Sequence, residues 1–188
     1  MRKLRLLVGA SVLATLSVAA FYPLLTNWQI LTSKASVKFS MLAHGQTLVG
    51  SFQQLSGTIQ FDPKRPEEAR FDCQIPISTI ETGNPKRNEH LQAAKWFDGT
   101  QFPHIGLKSV AVTGNASEGF RMRAKVEIKG AAQEVNFPFQ FMAETDESGV
   151  FKGSFQIKRT DFGVGKPDEE VGEDVIIMLE VPVALPKE

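Results

Sequence analysis

From residue 35 onward, apolar and polar positions alternate along most of the chain. In the clearest stretch, from Phe120 to Ile128, every second residue is apolar and most of the residues between them are Arg, Lys or Glu. The same period of two recurs at residues 37–41, 55–61, 71–77, 135–141, 151–157 and 175–183. Strict alternation is typical of strands that have one dry and one wet face in an antiparallel sheet. The pattern therefore predicts about eight antiparallel strands.

One segment has the period of a helix instead. Asn84 is a favoured N-cap residue, and Pro85 suits the first helical position. Apolar residues then follow at helical spacing, at Leu91, Ala94 and Phe97. The spacing predicts a single helix over about 85–97, placed between two strands.

The edges of so many antiparallel strands need protection, and closure into a barrel removes them. We therefore predict an all-β fold, an antiparallel barrel with one helix. A barrel of about eight strands is either filled by its own side chains or holds one small ligand. Phase in the alternation selects the residues that would line a ligand site: Phe39, Phe52, Phe61, Phe120, Met122, Phe137, Phe139, Phe155 and Ile177, with Phe97 and Phe102 near the helix.

The first 20 residues have a different character. A basic start, Met-Arg-Lys-Leu-Arg, precedes an uncharged run rich in Leu, Val and Ala that reaches small residues near Ala20. This order is typical of a signal peptide over residues 1–20. The apolar run continues to about residue 25, so an uncleaved membrane anchor is the alternative. Both readings send the domain, residues 28–188, across the membrane: into the periplasm, which we favour, or to a secreted or anchored location.

The charge balance argues against a nucleic-acid partner. Lys and Arg number 21, and so do Asp and Glu. Without the basic residues of the first segment, the remainder is mildly acidic, whereas binding to phosphates normally needs a basic excess. The single cysteine, Cys73, allows neither an internal disulfide nor a cysteine-based metal cluster within the chain.

The sequence carries weak signals for catalysis. His44, His90 and His104 do not have the spacing of zinc ligands, and the chain has no Gly-x-Ser-x-Gly motif. We predict no catalytic residue, no metal site and no cofactor. One polar cluster either fastens the helix to the barrel rim or contacts a ligand; it consists of Thr82, Asn84, Arg87 and His90.

A series of short motifs, in this order, resembles the YceI-like family, a lipocalin-like group of exported bacterial proteins. The motifs are Ser36-Val37-Lys38-Phe39, Gly50-Ser51-Phe52, Leu55-Ser56-Gly57, Phe61-Asp62-Pro63, Ile80-Glu81-Thr82-Gly83-Asn84, Arg87-Asn88-Glu89-His90-Leu91, Trp96-Phe97-Asp98, Phe102-Pro103, Ile128-Lys129-Gly130 and Arg159-Thr160-Asp161-Phe162-Gly163-Val164. The match extends from about residue 28 to residue 183.

The resemblance implies an elongated, lipocalin-like antiparallel barrel that holds a polyisoprenoid, such as a quinone tail, or another long amphiphile. It implies no catalytic activity. Two positions depart from the family pattern. Asn88 stands where the family usually has Asp, so Arg87 needs a different partner here. After Lys129-Gly130 the family tends to have Thr, a basic residue and Pro, and this chain has residues 131–134 as Ala-Ala-Gln-Glu.

Together these observations predict an exported carrier or scavenger of long isoprenoid or acyl lipids that contacts membranes through lipid exchange or an uncleaved leader. One alternative is a structural or interaction module with a filled core. The other is a lipid-modifying enzyme, with His90 or His104 as the first candidates for its ionisable group. A dimer is one of the oligomeric states left open.

Overall fold

The computed structural model describes residues 25–167 and 170–187, so the predicted leader lies outside the described residues. The strands are β1 (Asn27–Ile30), β2 (Ser36–Ala43), β3 (Gln46–Phe52), β4 (Ser56–Gln60), β5 (Arg70–Pro76), β6 (His104–Asn115), β7 (Gly119–Ile128), β8 (Ala131–Thr145), β9 (Ser148–Lys158) and β10 (Val171–Ala184). One α-helix, α1 (Pro85–Gln92), follows a short 3-10 turn at Ile77–Thr79. Two further 3-10 turns are Pro66–Glu68, before β5, and Arg159–Phe162, after β9.

All pairings between these strands are antiparallel, and they close into a barrel. The order is β1-β4-β5-β6-β7-β8-β9-β10, and β1 pairs back onto β10 at Gln29–Ala184 and Ile30–Val183. Eight strands therefore form the ring, and the β2–β3 hairpin continues the sheet beyond β10. The prediction of an antiparallel barrel of about eight strands with one helix is confirmed. No helix in residues 25–167 or 170–187 has the length and apolar character needed to cross a membrane.

The edge of β10 changes its partner along its length. Its residues 171–180 pair with β2, and its last two residues pair with β1. Pro182 lies at this change, where its carbonyl accepts from the N–H of Leu31 at 2.9 Å. A proline has no N–H to donate, so it suits the one position of the edge that lies between two ladders.

The barrel wall is interrupted beside β3. Along its free edge, β3 forms only one bridge, between the backbones of Ser51 and Glu81. The segment that contains α1 packs against the interior at this side, and the ring of Phe97 meets the ring of Phe52 edge-on at 6.0 Å. Helix α1 therefore lies beside the barrel where the sheet leaves an opening.

Helix α1 begins where predicted and ends earlier than residue 97. The side chain of Asn84 accepts a hydrogen bond from the N–H of Arg87 at 3.2 Å, as an N-cap does. The helix stops at Gln92, and turns follow it up to residue 97. Consecutive helical residues point about 100° apart. Because Trp96 and Phe97 both face the interior, a turn at this point places them better than a continued helix does.

One end of the barrel is closed by a cluster of aromatic rings, which we call the phenylalanine plug. The ring of Phe61 is fully buried and meets five neighbouring rings at centroid distances from 5.0 to 6.1 Å. The other members of the plug are Phe71, Phe120, Phe139, Phe141 and Phe151. Trp28 covers the plug and donates from Nε1 to the carbonyl of Phe61 at 3.0 Å.

Candidate ligand-binding cavity

On β9 and β10, some inward-facing side chains away from the plug keep accessible surface. On β9, Phe151 is buried within the plug, whereas Phe155 and Ile157 on the same face keep accessible surface. On β10, Val181 is buried, and Leu179 is only partly buried. Side chains that point into a filled core lose their accessible surface, so the surface that remains indicates empty space away from the plug.

Two adjoining apolar cavities occupy that space. An inner cavity of about 130 Å³ lies next to the plug, and an outer cavity of about 270 Å³ lies beneath α1. Empty protein cavities of about 150 Å³ with apolar walls stay dry and bind small hydrocarbons. The two cavities share five wall residues: Phe52, Ile105, Ile128, Ile157 and Ile177. One apolar path therefore leads from the opening beside α1 toward the plug.

Eight of the eleven residues selected from the sequence lie in these walls. The inner cavity has Met122, Phe137, Phe139 and Phe155, the outer cavity has Phe39 and Phe97, and both have Phe52 and Ile177. That they contact a ligand stays a prediction.

Three of the selected residues lie elsewhere. Phe61 and Phe120 face inward but belong to the plug, because they sit at the closed end of the barrel. Phe102 packs on the β7–β8 turn, with its Cε1 only 2.8 Å from the position of a Cβ on Gly130. None of the three is in the wall of either cavity.

Cys73 lies in the wall of the inner cavity and is kept protonated. Burial raises the pKa of its thiol from 9.0 to about 12, and the nearby charge of Asp72 adds to the rise. The thiolate is the reactive form of cysteine, so this residue is a small apolar wall group.

We expect iodoacetamide to modify Cys73 very slowly in the folded protein at pH 8, and quickly once the chain is unfolded.

The raised pKa also gives the unfolding free energy a pH dependence: the contribution of Cys73 is full below pH 9 and is lost as the pH rises toward about 12. Urea unfolding at pH 8 and pH 10.5 should therefore show a larger loss for the wild type than for Cys73→Ala. Equal losses in the two proteins would contradict the assignment.

The polar cluster fastens α1 to the segment before it. Arg87 donates from Nε to the hydroxyl of Thr82 at 2.9 Å and from a terminal nitrogen to its carbonyl at 2.7 Å. The hydroxyl of Thr82 donates in turn to Oδ1 of Asn88 at 2.6 Å. Thr82 is buried and is the hydrogen-bond partner of Arg87 in this chain. Beside it, the N–H of Gly83 and then the side chain of Asn88 hold the pKa of Glu81 below its usual value.

Replacing Thr82 with valine is expected to lower the unfolding free energy by about 1–3 kcal/mol, because Arg87 and Asn88 each lose a hydrogen-bond partner at a part-buried site. Urea unfolding measures this change. Thr58→Val is the matched control, since Thr58 is exposed on β4, and its effect should stay within about 0.5 kcal/mol. Equal effects of the two variants would show that the cluster does not brace the helix.

A buried arginine lies in the wall of the outer cavity. Arg159 is only 4% exposed, and its guanidinium donates to the carbonyls of Gly172, Val164 and Val171 at 2.9, 2.8 and 2.7 Å. The guanidinium also lies over the ring of Trp96, 5.6 Å from its centroid. Arg159 is not among the site residues predicted from the sequence, although it continues the inward-facing period of Phe155 and Ile157.

Two of the three histidines, His44 and His90, lie in the wall of the outer cavity. His104 lies in neither cavity wall. His44 is exposed and pairs through Nδ1 with Glu170 at 3.3 Å. Within the described residues, no three His, Cys, Asp or Glu side chains come together in a way that would hold a metal ion.

Comparisons with known proteins agree with this architecture. The model of the YceI-like domain matches residues 28–183. Protein YceI of Salmonella arizonae is 24% identical over 139 residues, which are 71% of this chain and 72% of that protein. The crystal structure of Burkholderia cenocepacia BcnA superposes with a TM-score of 0.76 at 23% identity, over 81% of this chain and 98% of BcnA. A polyisoprenoid binding domain from Saccharophagus degradans superposes with a TM-score of 0.67 at 12% identity, over 86% of this chain and 99% of that domain.

Proposed function

Because the chain belongs to the YceI-like family, we propose that it binds a long apolar chain inside its barrel and acts as an exported carrier or scavenger. The ligand is a polyisoprenoid, an isoprenoid quinone or a similar amphiphilic lipid. The polyisoprenoid binding domain among its structural neighbours supports this ligand class.

The observation that carries the proposal is the apolar path through the two cavities. Each buried CH₂ contributes about 0.8 kcal/mol, so roughly twenty tail carbons would contribute about 16 kcal/mol before costs. Association and ordering cost about 4–15 kcal/mol. Apolar contact alone is therefore sufficient for useful affinity, and such a binder needs no motif of polar residues.

The shape of the interior sets the orientation of the ligand. The phenylalanine plug closes the inner end, and the opening beside α1 lies at the outer end. In the proposed complex the tail points toward the plug, and the polar head stays in the outer cavity. There it lies close to polar groups such as those of Arg87 and His90. A filled structural core, the alternative considered above, would have neither cavity.

Export through the leader is part of the same proposal. A carrier outside the cytoplasm would exchange lipid with a membrane from the periplasm, or from an anchored position if the leader is retained. Fractionation of expressing cells and the intact mass of the protein test this point. A cytoplasmic protein of full length would contradict it, whereas loss of about 20 residues is expected for a cleaved leader.

Organic extraction of the purified protein, followed by mass spectrometry, tests the proposed function. We expect an isoprenoid or acyl lipid in near-equal amount with the protein. A variant with a blocked cavity, Ile177→Trp, purified in parallel, should yield much less. A wild-type protein that is free of lipid and takes up no prenylated quinone would overturn the proposal.

A further inference from the structure

The outer cavity has an unusual wall for a purely apolar tunnel. Arg159 brings a full positive charge to a position that is 96% shielded from solvent, since only 4% of the residue is exposed. A buried charge costs several kcal/mol unless it is paired and hydrogen-bonded. Its three carbonyl acceptors satisfy hydrogen bonds, but they bring no negative charge. No carboxylate among the described residues forms an ion pair with it.

Two N–H groups of Arg159 remain available. A guanidinium has five N–H donors. Three of them go to backbone carbonyls, one each from Nε and the two terminal nitrogens. Within the described part of the chain, the remaining two, one on each terminal nitrogen, have no acceptor.

A second donor in the same wall is also unpaired. The indole N–H of Trp96 is buried and has no hydrogen-bond partner among residues 25–167 and 170–187. Trp96 lies in the wall of the outer cavity, against the guanidinium of Arg159. Buried indole N–H groups usually find an acceptor, and an unsatisfied buried donor destabilises the folded protein. Arg159 and Trp96 therefore each have an N–H group without a hydrogen-bond acceptor among the described residues of this cavity.

The charges around this position favour an anion as the acceptor. Besides Arg159, the described wall of the outer cavity has Arg87, His90 and His44, and it has no Asp or Glu. Glu170 is exposed, lies outside this wall, and forms an ion pair with His44. Glu173 accepts from the hydroxyl of Thr160 at 3.0 Å and forms no ion pair with Arg159. Two arginines, Arg87 and Arg159, thus bring positive charge to the described wall of an otherwise apolar cavity.

We propose that Arg159 and the indole N–H of Trp96 form a receptor for an oxyanion, a carboxylate or a phosphate, at the head of the bound chain. This proposal rests on the proposed function and narrows its ligand class from long amphiphiles to anionic ones. Hydrogen bonds between an arginine and a carboxylate or phosphate are among the strongest in proteins. The head group brings a negative charge to Arg159 and an acceptor to the indole N–H of Trp96, while the tail fills the inner cavity.

Gly165 keeps these two side chains in contact. A Cβ at Gly165 would lie 2.7 Å from a terminal nitrogen of Arg159 and 2.8 Å from a ring carbon of Trp96. The backbone there has φ +69°, in the left-handed region that glycine adopts readily. Lys129 holds the two sides of this site together, with Nζ donating to the carbonyls of Ala94 and Gly163 at 2.8 and 3.0 Å.

Pairs of lipids that differ only in the head group test this proposal. Delipidated protein is titrated by calorimetry with oleate and with oleyl alcohol, and separately with farnesyl phosphate and with farnesol. We expect the wild type to bind the anion of a pair about tenfold more tightly than the alcohol. A preference within the first pair identifies a carboxylate site, and a preference within the second pair identifies a phosphate site.

Protein variants show which residues cause the preference for the anion over the alcohol. Arg159→Gln should reduce the ratio of the two affinities to about one, and Trp96→Phe, which keeps the ring but removes the N–H, should reduce it about threefold. Lys158→Gln is the matched control, because it removes a positive charge from the exposed position next to Arg159 and should leave the ratio unchanged. If Arg159→Gln does not fold, Arg159→Lys is used in its place. Because lysine keeps the positive charge, Arg159→Lys should keep more of the preference for the anion over the alcohol than a neutral side chain would.

The outcomes separate this inference from the proposed function. Equal binding of anion and alcohol by the wild type overturns the oxyanion receptor and leaves the lipid carrier standing. An unchanged ratio in Trp96→Phe and in Arg159→Gln, or in Trp96→Phe alone where Arg159→Gln does not fold, overturns it as well. Failure of the wild-type protein to bind any of the four lipids would overturn the proposed function itself.

Discussion

Replacing Ile177 with tryptophan is expected to weaken the binding of a long apolar chain at least about 100-fold while the barrel stays folded. Ile177 belongs to the walls of both cavities, so a larger ring at this point blocks the path between them. The tail then loses the inner cavity and the burial of its last carbons. Since the new ring enters space that is empty in the wild type, little strain accompanies it.

The adjacent residue provides the control. Ile176 lies on the outer face of β10 and is 47% exposed. Ile176→Trp makes the same chemical change one residue away, and it should leave both binding and the melting temperature near the wild-type values. Titration of the delipidated proteins with a prenylated quinone measures the difference. Equal affinities of the two variants would show that the chain does not pass through the barrel.

Replacing Phe61 with alanine is expected to lower the unfolding free energy by about 3–5 kcal/mol. Phe61 is fully buried, and its ring lies at the centre of the phenylalanine plug in contact with five others. The truncation removes buried apolar surface, and the rigid neighbouring rings cannot collapse into the gap.

Denaturant unfolding measures this loss, with Phe61→Leu as the milder comparison and an expected cost of about 1.5 kcal/mol. The change should also open the closed end of the inner cavity, so longer chains should gain affinity relative to shorter ones. A loss below about 1 kcal/mol, with no change in length preference, would show that the plug neither stabilises the barrel nor limits its depth.

The alternation of residues was sufficient to predict the barrel because it decides which face of each strand is dry. Along β7 the burial alternates as the sequence does, from Phe120 to Ile128. The alternation does not show how far along the barrel axis an inward-facing side chain lies. Phe120 and Phe137 therefore look alike in the sequence, although one belongs to the plug and the other to the inner cavity.

The region around α1 was harder to predict, because its side chains are placed by turns and by tertiary contacts. Ala94 and Phe97 fit a helical period, but the chain leaves the helix at Gln92. Trp96 reaches the cavity only through those turns, so no periodicity marks it. Arg159 did carry a signal, since a charged residue in the dry phase of a strand is rare without a partner or a function.

Intermolecular nuclear Overhauser effects test the central claim, that a hydrocarbon chain lies inside the barrel, most directly. The protein is labelled only at isoleucine methyl groups and saturated with an unlabelled chain. We predict effects from the chain's methylenes to the methyls of Ile105, Ile157 and Ile177, and none to the outward-facing Ile176. A saturated sample in which the chain contacts only Ile176, or none of these methyls, would contradict the account.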